Sequence, residues 1–421
     1  MIRAPRRACS AALSPLLFAL AVAVAVAVAS ASASAPAVAA EADPPPPSPA
    51  PSASPSPVPP STAEEGNPST SVVRGRGGAG HVLWEGDAGS VALLNRAQFR
   101  WTNEMPDDKV QLPGTAGPGT AKGSFRIRRA KTELTGWVWR RELTYELQLS
   151  WAGPEPGTST TSPLEDFILN WDLSRDPRFQ VAVGQFKVPL GRQELTSSNR
   201  QEFADRDLLS GEFSRGRDVG IQLWGALGRG KVEYRAGIFN GNPASRLEND
   251  NDKYQYNLRV MFQPFGDAKY SESDFESKDK PLLAVAGEFE ENNLHHATNA
   301  DDLDTRILGV DAVFKYKGLF LFAEYFARHR KPEISPVFDS NGFHAQAGYF
   351  ILRDRLEVAA RWAGYDPSSL IPDDDRKEVG GVVNYYVNKH NLKIQGDFRR
   401  LDDDARRTKT KELRLQTQVV F

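Results

Sequence analysis

Basic side chains cluster in two parts of the sequence, where together they could bind an anion. Four lie between residues 126 and 131, and six more lie between residues 187 and 217. Arginine stays charged at any working pH, and its planar guanidinium offers forked donors that match the oxygens of phosphate. These residue types therefore predict a site for small anions. The candidates are Arg126, Arg128, Arg129, Lys131, Lys187, Arg192, Arg200, Arg206, Arg215 and Arg217.

The second group is almost balanced by acids, which leaves two interpretations open. Segment 187–217 holds five acidic residues against its six basic ones, so its net charge is only +1. Charges in long loops are often solvated or paired. The segment is therefore compatible with an anion site and also with a site that tolerates cations. The acids are Glu194, Glu202, Asp205, Asp207 and Glu212.

The elements that carry these residues are predicted to be β-strands, because apolar and polar residues alternate along them. Between Glu142 and Trp151 every second residue is apolar. Along the C-terminal segment Leu413, Leu415, Thr417, Val419 and Phe421 share one face, whereas Arg414, Gln416 and Gln418 share the other. A strand with one apolar and one polar face, closed by an aromatic residue, resembles the C-terminal strand of bacterial outer-membrane β-barrels.

Sixteen such segments follow one another, and the connections between them alternate between long and short. An even number of strands, with short turns at one end and long loops at the other, is typical of bacterial barrels. A closed barrel is also the β architecture that can span lipid. The predicted strands are 91–103, 123–135, 140–151, 165–172, 178–187, 217–227, 231–240, 254–263, 281–290, 305–316, 318–328, 342–351, 355–364, 376–387, 391–401 and 410–421.

The predicted fold is therefore all-β, a 16-stranded antiparallel transmembrane β-barrel. Its third loop, about 188–216, is the longest, and we expect it to fold inward and narrow the lumen. One turn, 264–280, is too long for its end of the barrel and suggests an irregular insert. Most tryptophans lie near predicted strand ends, where aromatic girdles meet lipid headgroups.

Strict alternation cannot place all four basic residues of the second strand in the lumen. Either Arg126 and Arg128 face inward, or Arg129 and Lys131 do, because neighbouring residues of a strand point to opposite faces. A β-bulge near Arg128 would shift the phase and remove this conflict. The sequence alone leaves these arrangements open.

Several segments between residues 120 and 245 resemble phosphate-selective porins O and P. That resemblance implies a sixteen-stranded trimeric porin whose third loop lies in the pore, with arginines and lysines lining an anion path. It favours Arg128 and Arg129 near the constriction. The segments are Phe125-Arg-Ile-Arg-Arg-Ala130, Gly184-Gln-Phe-Lys-Val-Pro189, Thr196-Ser-Ser198, Arg206, Arg217-Asp-Val-Gly220 and Gly237-Ile-Phe-Asn-Gly241.

The N-terminal region predicts export. Residues 1–40 have the basic start, apolar run and small residues of a signal peptide, and residues 41–80 form a Pro/Ser/Gly-rich segment predicted to be a disordered linker. The barrel is expected over 81–421. Without the signal the chain has 49 basic and 54 acidic residues, a net charge of −5, which disfavours a nucleic-acid partner. The one cysteine, Cys9, lies in the signal.

Motifs for chemistry are weak. Segment 225–231 fits most of a phosphate-binding loop, but Val232 stands where a magnesium-binding hydroxyl is needed. His295 and His296 lie in a polar loop, and the Asp runs near 301–304, 373–375 and 402–404 lack the spacing of a calcium loop. No cofactor, metal or catalytic residue is predicted.

The sequence thus predicts an outer-membrane porin for passive diffusion of small anions, phosphate included. Its expected partners are outer-membrane lipid, lipopolysaccharide, the anions themselves and two further copies of the chain. The alternatives are a general or weakly cation-tolerant porin of the same fold, or a barrel enzyme or adhesin.

Overall fold

The computed structural model describes residues 80–106, 121–152, 162–175, 177–214, 216–242, 248–277, 279–295 and 301–421. The predicted signal peptide, the predicted linker up to residue 79, His296 and Arg215 lie outside the described residues. Among the described residues, no helix combines the length and hydropathy needed to cross a bilayer.

The predicted sixteen-stranded antiparallel barrel is confirmed. Each of the sixteen strands pairs with the next, and the last closes on the first through Gln416 opposite Arg100. The strands are β1 His81–Gly86, then β2 Gly89–Pro106, β3 Lys122–Val138, β4 Arg140–Ser150, β5 Leu164–Asp172, β6 Gln180–Lys187, β7 Arg217–Leu227, β8 Val232–Phe239, β9 Gln255–Phe262, β10 Leu282–Leu294, β11 Leu303–Tyr316, β12 Leu319–Pro332, β13 Phe338–Leu352, β14 Leu356–Asp366, β15 Arg376–Asn388, β16 Leu392–Asp403 and β17 Thr408–Val420. The barrel proper is β2 to β17.

Strand β1 is an addition that the sequence did not predict. It forms a hairpin with β2, in which His81 lies opposite Leu93. The backbone of Phe421 exchanges hydrogen bonds with Asn95, so β1 continues along β2 just beyond the end of β17. Its side chains are exposed or half-buried, so its sequence has no alternation of apolar and polar residues that would predict a strand.

The two faces of the wall divide as the alternation predicted. On β17, Arg414 and Gln418 are no more than 1% exposed, whereas Leu415 is 51% exposed. Other strands also place polar side chains inside and apolar side chains outside. On β15, for example, Val383 is exposed and the neighbouring Asn384 is buried. The outer surface is therefore suited to lipid and the inner wall to water and charge.

Replacing Leu415 by arginine should destabilise the barrel in lipid by about 2–4 kcal/mol, because a cation would face hydrocarbon. Thr410→Arg on the same strand places the charge on the inner face near the long-loop end, and we expect little change. Urea titration in vesicles, followed by the mobility of folded and unfolded protein on gels, compares the two. Equal loss in both variants would contradict the assignment of faces.

Two segments enter the barrel from opposite ends. Loop 3, residues 188–216, joins β6 to β7 at the long-loop end and contains helix α1 (Arg192–Leu195), a helical turn (Ser198–Arg200) and helix α2 (Leu208–Phe213). The turn insert, residues 264–280, joins β9 to β10 at the short-turn end. Almost all of its side chains between 268 and 277 are buried.

Both segments pack on the same half of the inner wall. Leu195 of loop 3 lies in one cluster with Tyr270 of the turn insert and with Phe322 of β12. Further along loop 3, Leu209 and Phe213 pack on the wall formed by Ile307, Phe326 and Tyr365. The turn insert buries Phe275 against Phe350 and Tyr386. Apart from Val188, which packs on Phe186, Trp224 and Phe239 of β6 to β8, the apolar contacts thus hold the two segments against β9 to β15.

Two tryptophans do not belong to an aromatic girdle. Trp137 and Trp224 are each only 5% exposed, and the indole of Trp224 donates to Asn170 on the inner wall at 2.8 Å. Trp139, Trp151 and Trp171 are well exposed on the outside, as a girdle requires. Position near a strand end gave no information about the face, which explains the difference.

Candidate functional site

A β-bulge at Arg128 sets the direction of the basic residues on β3. Gln98 lies opposite Arg129, and the next residue of β2, Phe99, lies opposite Ile127, so Arg128 is the additional residue. Beyond the bulge, Arg126 lies opposite Arg100, whose side chain is buried on the inner wall. Because directly paired residues project to the same face, Arg126 and Arg129 both belong to the lumen.

The inward direction of the whole basic group follows from that bulge. Lys131 continues the inward phase of Arg129, and both are buried. The side chain of Arg128 also reaches the lumen, where its Nη2 lies 2.9 Å from a carboxylate oxygen of Asp205 on loop 3. The alternative with a phase shift near Arg128 is therefore the one that the structure adopts.

Four guanidinium groups surround the carboxylate of Asp205. Its Oδ1 contacts Arg128 at 2.9 Å and Arg129 at 3.2 Å, and its Oδ2 contacts Arg100 directly and Arg414 at 3.4 Å. Arg414 also forms a bidentate pair with Asp397, both bonds being 2.7 Å. We call Arg100, Arg126, Arg128, Arg129 and Arg414 the arginine cluster.

The arginine cluster carries excess positive charge. Asp205 contacts four of its five guanidiniums, Asp397 pairs with Arg414, and Glu412 lies 3.7 Å from Arg414. Five cations are therefore set against three acids in these contacts. Burial alone would raise the pKa of Asp205, but the surrounding guanidinium groups outweigh it and hold this pKa well below its usual range. The carboxylate is therefore ionised at ordinary pH.

A second charged group lies on the neighbouring strands. The amine of Lys131 is 2.6 Å from Glu165, and Arg217 at the start of β7 binds Asp166 at 2.7 Å and approaches Glu165 to 3.3 Å. Here two cations meet two carboxylates. The charges of these four residues balance, in contrast to the arginine cluster.

The remaining predicted residues mostly hold loop 3 in place. Lys187 donates to the carbonyl of Glu194 at 2.6 Å, and Arg206 donates to the carbonyls of Gln193, Glu194 and Thr196. Arg192 donates to the carbonyl of Lys269 in the turn insert and lies over the ring of Tyr270. Arg200 is buried in the helical turn, and its carbonyl accepts from the amide of Glu272 at 2.9 Å. Arg215 lies outside the described residues.

Comparison with known proteins decides the family. The family model described as phosphate-selective porin O and P matches residues 102–421, which includes nearly the whole barrel. The chain belongs to this family. No curated protein sequence matches it.

Solved structures agree on the fold. The outer membrane channel DcaP of Acinetobacter baumannii is similar with a TM-score of 0.58 at 11% identity, over 80% of this chain and 99% of that one. An anion-selective porin from Comamonas acidovorans gives 0.55 at 13%, over 79% and 100%. OmpT, an outer membrane protein of Vibrio cholerae, gives 0.54 at 11%, over 81% and 99%. At such identities the likeness shows the barrel alone.

Family and barrel together identify an outer-membrane porin, a channel rather than an enzyme. The family match includes β3, loop 3 and β17, and therefore every described residue of the arginine cluster except Arg100, which lies two residues before the match begins.

Two members of the arginine cluster were missed from the sequence. Arg414 stood on the predicted polar face of β17, but it was not connected with the basic residues of β3. Arg100 had an equally readable signal, because Arg96, Gln98, Arg100 and Thr102 alternate with apolar residues along β2. The missing information was that β17 and β3 flank β2, which is a consequence of closure.

An acidic group on β10 to β12 also faces loop 3. Glu288, Asp311 and Glu324 are buried, with carboxylate oxygens within 4.8 Å of one another, a spacing that would suit a metal ion. Arg259 pairs with Glu288 and Asp311, and the amides of Gly191 and Arg192 donate to Glu288 and Glu324 at 2.6 and 2.5 Å. These partners make the group an anchor for the start of loop 3.

Proposed function

We propose that this outer-membrane porin gives passive diffusion to small anions, phosphate among them. The observation that supports this most is the arginine cluster, in which four guanidiniums surround one carboxylate of loop 3. Fixed guanidiniums can replace part of the hydration shell that an anion loses in a narrow pore. Their forked donors suit phosphate oxygens.

The proposed path runs between loop 3 and the wall of β3 to β7, because loop 3 is hydrogen-bonded to Arg96, Gln98 and Arg100 of β2. Some charged side chains there keep contact with solvent: those of Asp205, Glu165, Arg217 and Arg206 are 15 to 19% exposed, whereas those of Arg100, Arg129 and Arg414 are 1 to 4% exposed. On the opposite wall, where loop 3 and the turn insert pack, Asp311, Glu324 and Arg361 are at most 2% exposed, although the side chains of Glu212 and Arg330 are 25% and 22% exposed. An ion that follows the wetter side passes Lys131 and Arg217 as well as the arginine cluster.

A porin that also tolerates cations is the second candidate. Glu165 and Asp166 neutralise Lys131 and Arg217, and Glu194 lies 3.1 Å from Arg206. In this case the path would have one strongly positive zone, followed by a balanced zone that repels neither sign of ion. The two candidates differ in ion preference and share the same fold.

We also propose a homotrimer in outer-membrane lipid and lipopolysaccharide, exported through the signal peptide predicted at residues 1–40. A trimer form of the Vibrio cholerae OmpT protein resembles the barrel with a TM-score of 0.54 at 11% identity. Trimer mobility on unheated gels, and its loss on boiling, would test the assembly.

Phosphate should block the chloride current through single channels of the purified porin. Phosphate binds the arginine cluster more tightly than chloride, because it offers several oxygens to the forked donors, and so it stays longer in the pore. The measurement is the chloride conductance in planar bilayers as phosphate is added at constant pH. A chloride current that is insensitive to phosphate would remove phosphate from the proposal.

A further inference from the structure

Asp205 occupies the position at which the arginine cluster would bind a passing anion. Each of its two oxygens is contacted by two guanidiniums, Oδ1 by Arg128 and Arg129, and Oδ2 by Arg100 and Arg414. Two oxygens on one centre, each accepting from arginine, is also the way in which phosphate is held by arginine forks. The carboxylate thus has the chemistry of a bound substrate, although it belongs to the chain.

The other acids of loop 3 are bound differently. Glu194 has one basic partner, Arg206, at 3.1 Å, and Glu212 contacts Arg328 at 2.5 Å and Arg330 at 3.6 Å, among the described ion pairs. Glu202 accepts from the amide of Gln346. Asp205 therefore stands out in loop 3 by the number of guanidiniums that converge on it.

The backbone at Asp205 is fixed independently of its carboxylate. The amide of Ala204 donates to Asp397 at 3.1 Å, and its carbonyl accepts from Arg100 at 2.7 Å. The carbonyl of Asp205 accepts from Arg361 at 3.0 Å. Phe203 is buried beside Ala359 and Val382. Neutralising the carboxylate therefore leaves loop 3 anchored on both sides of it.

We propose that Asp205 is a tethered anion that competes with permeating anions for the arginine cluster, and that it weakens their binding enough for them to leave the pore. This inference rests on the proposed anion path. A pore conducts only if its sites bind weakly enough to release the ion. Without the charge of Asp205, the four guanidiniums around it would hold a phosphate for longer, because each charge-assisted hydrogen bond strengthens the next.

Asp205→Asn should lower the phosphate concentration that halves the chloride current by about tenfold or more, the effect of freeing one charge-assisted hydrogen bond. Glu212→Gln is the matched control, because it removes one negative charge from the same loop away from the arginine cluster. We expect it to shift the half-blocking concentration by less than about twofold. Equal shifts in both variants would mean that the overall charge of loop 3 sets the phosphate block, and that the occupancy of the arginine cluster by the carboxylate of Asp205 does not. That result would overturn the proposal.

The double variant D205N/R128Q separates occupancy from net charge. Its net charge equals that of the wild type, but three guanidiniums then face no carboxylate at position 205. It also removes one of the four arginines that repel one another more strongly when Asp205 is neutral, which protects the test if D205N alone does not fold. We expect tighter phosphate block than in the wild type. A half-blocking concentration equal to or above that of the wild type would overturn the proposal.

The wild-type control separates this inference from the proposed function. If the wild type prefers anions and is blocked by phosphate, but D205N is blocked no more tightly, only the role of Asp205 is wrong. If phosphate blocks neither the wild type nor D205N and both prefer cations, the anion path itself is wrong.

Discussion

Replacing both Arg128 and Arg129 by glutamine should lower the anion-to-cation permeability ratio by roughly tenfold or more, because the change removes two fixed positive charges from a narrow and partly dehydrated site. The change also removes both partners of one oxygen of Asp205, so only Arg100 and Arg414 still oppose the negative charge of this carboxylate. The expected result is a reversal potential that moves toward that of potassium in a potassium chloride gradient.

The matched control removes two arginines from the outside of the barrel. Arg306 and Arg400 are exposed and pair with Glu291 and Asp402, both at 2.8 Å. The variant R306Q/R400Q has the same change in net charge, and its reversal potential should stay close to that of the wild type. If both double variants move the reversal potential equally, the selectivity comes from overall charge and the arginine cluster has no special role.

Replacing the turn insert by a short Asn-Gly turn between Gln263 and Pro281 should raise the single-channel conductance by about twofold or more, because a packed segment leaves the lumen. Glu276 of the insert pairs with Lys315 at 3.0 Å, and Asp274 accepts from the amide of Gly318 at 2.7 Å. These bonds fix the insert to the inner wall at the short-turn end, so its removal opens a second route past loop 3.

The removal should also loosen loop 3. The insert supplies the carbonyl of Lys269 to Arg192, and Glu272 accepts from the amide of Glu202 at 2.7 Å. We therefore expect greater current noise together with the larger conductance. Replacing the exposed outer loop 333–337 by Asn-Gly is the control, and its conductance should match the wild type. An unchanged conductance without the insert would show that the insert does not obstruct the ion path.

Local alternation was sufficient to predict the barrel, because the inner and outer faces of its strands differ, although inward residues such as Phe322 and Phe326 are apolar where loop 3 and the turn insert pack. The pattern in β17, with Arg414, Gln416 and Gln418 on one side, fixed both the strand and its orientation. It was insufficient for β1, which has no buried face, and for the inward position of Trp137 and Trp224. A large aromatic residue fits lipid and a filled lumen equally well.

The site was harder to predict, because its geometry depends on contacts between distant segments. The bulge at Arg128 was one of three arrangements compatible with the sequence, and the register between β2 and β3 was needed to choose it. Asp205 was counted as an acid that weakens the basic loop. Its position among four guanidiniums depends on strands β2, β3 and β17 together. Two of these guanidiniums, those of Arg100 and Arg414, are 314 residues apart along the chain.

Lys187 at the end of β6 and Arg206 in loop 3 have a role that composition could not reveal. The side chains of Lys187 and Arg206 donate hydrogen bonds to backbone carbonyls of loop 3. In a sequence such residues are indistinguishable from ligands for a passing anion, because the carbonyl acceptors carry no side-chain signal. The anion path that we propose therefore depends more on the strands than on the loop.

The reversal potential of the wild-type porin in a potassium chloride gradient tests the central claim most directly. If an excess of guanidiniums lines the narrow part of the pore, the potential should lie on the chloride side of zero, and raising the salt concentration should bring it closer to zero as the charges are screened. A potential on the potassium side at low salt would contradict the account.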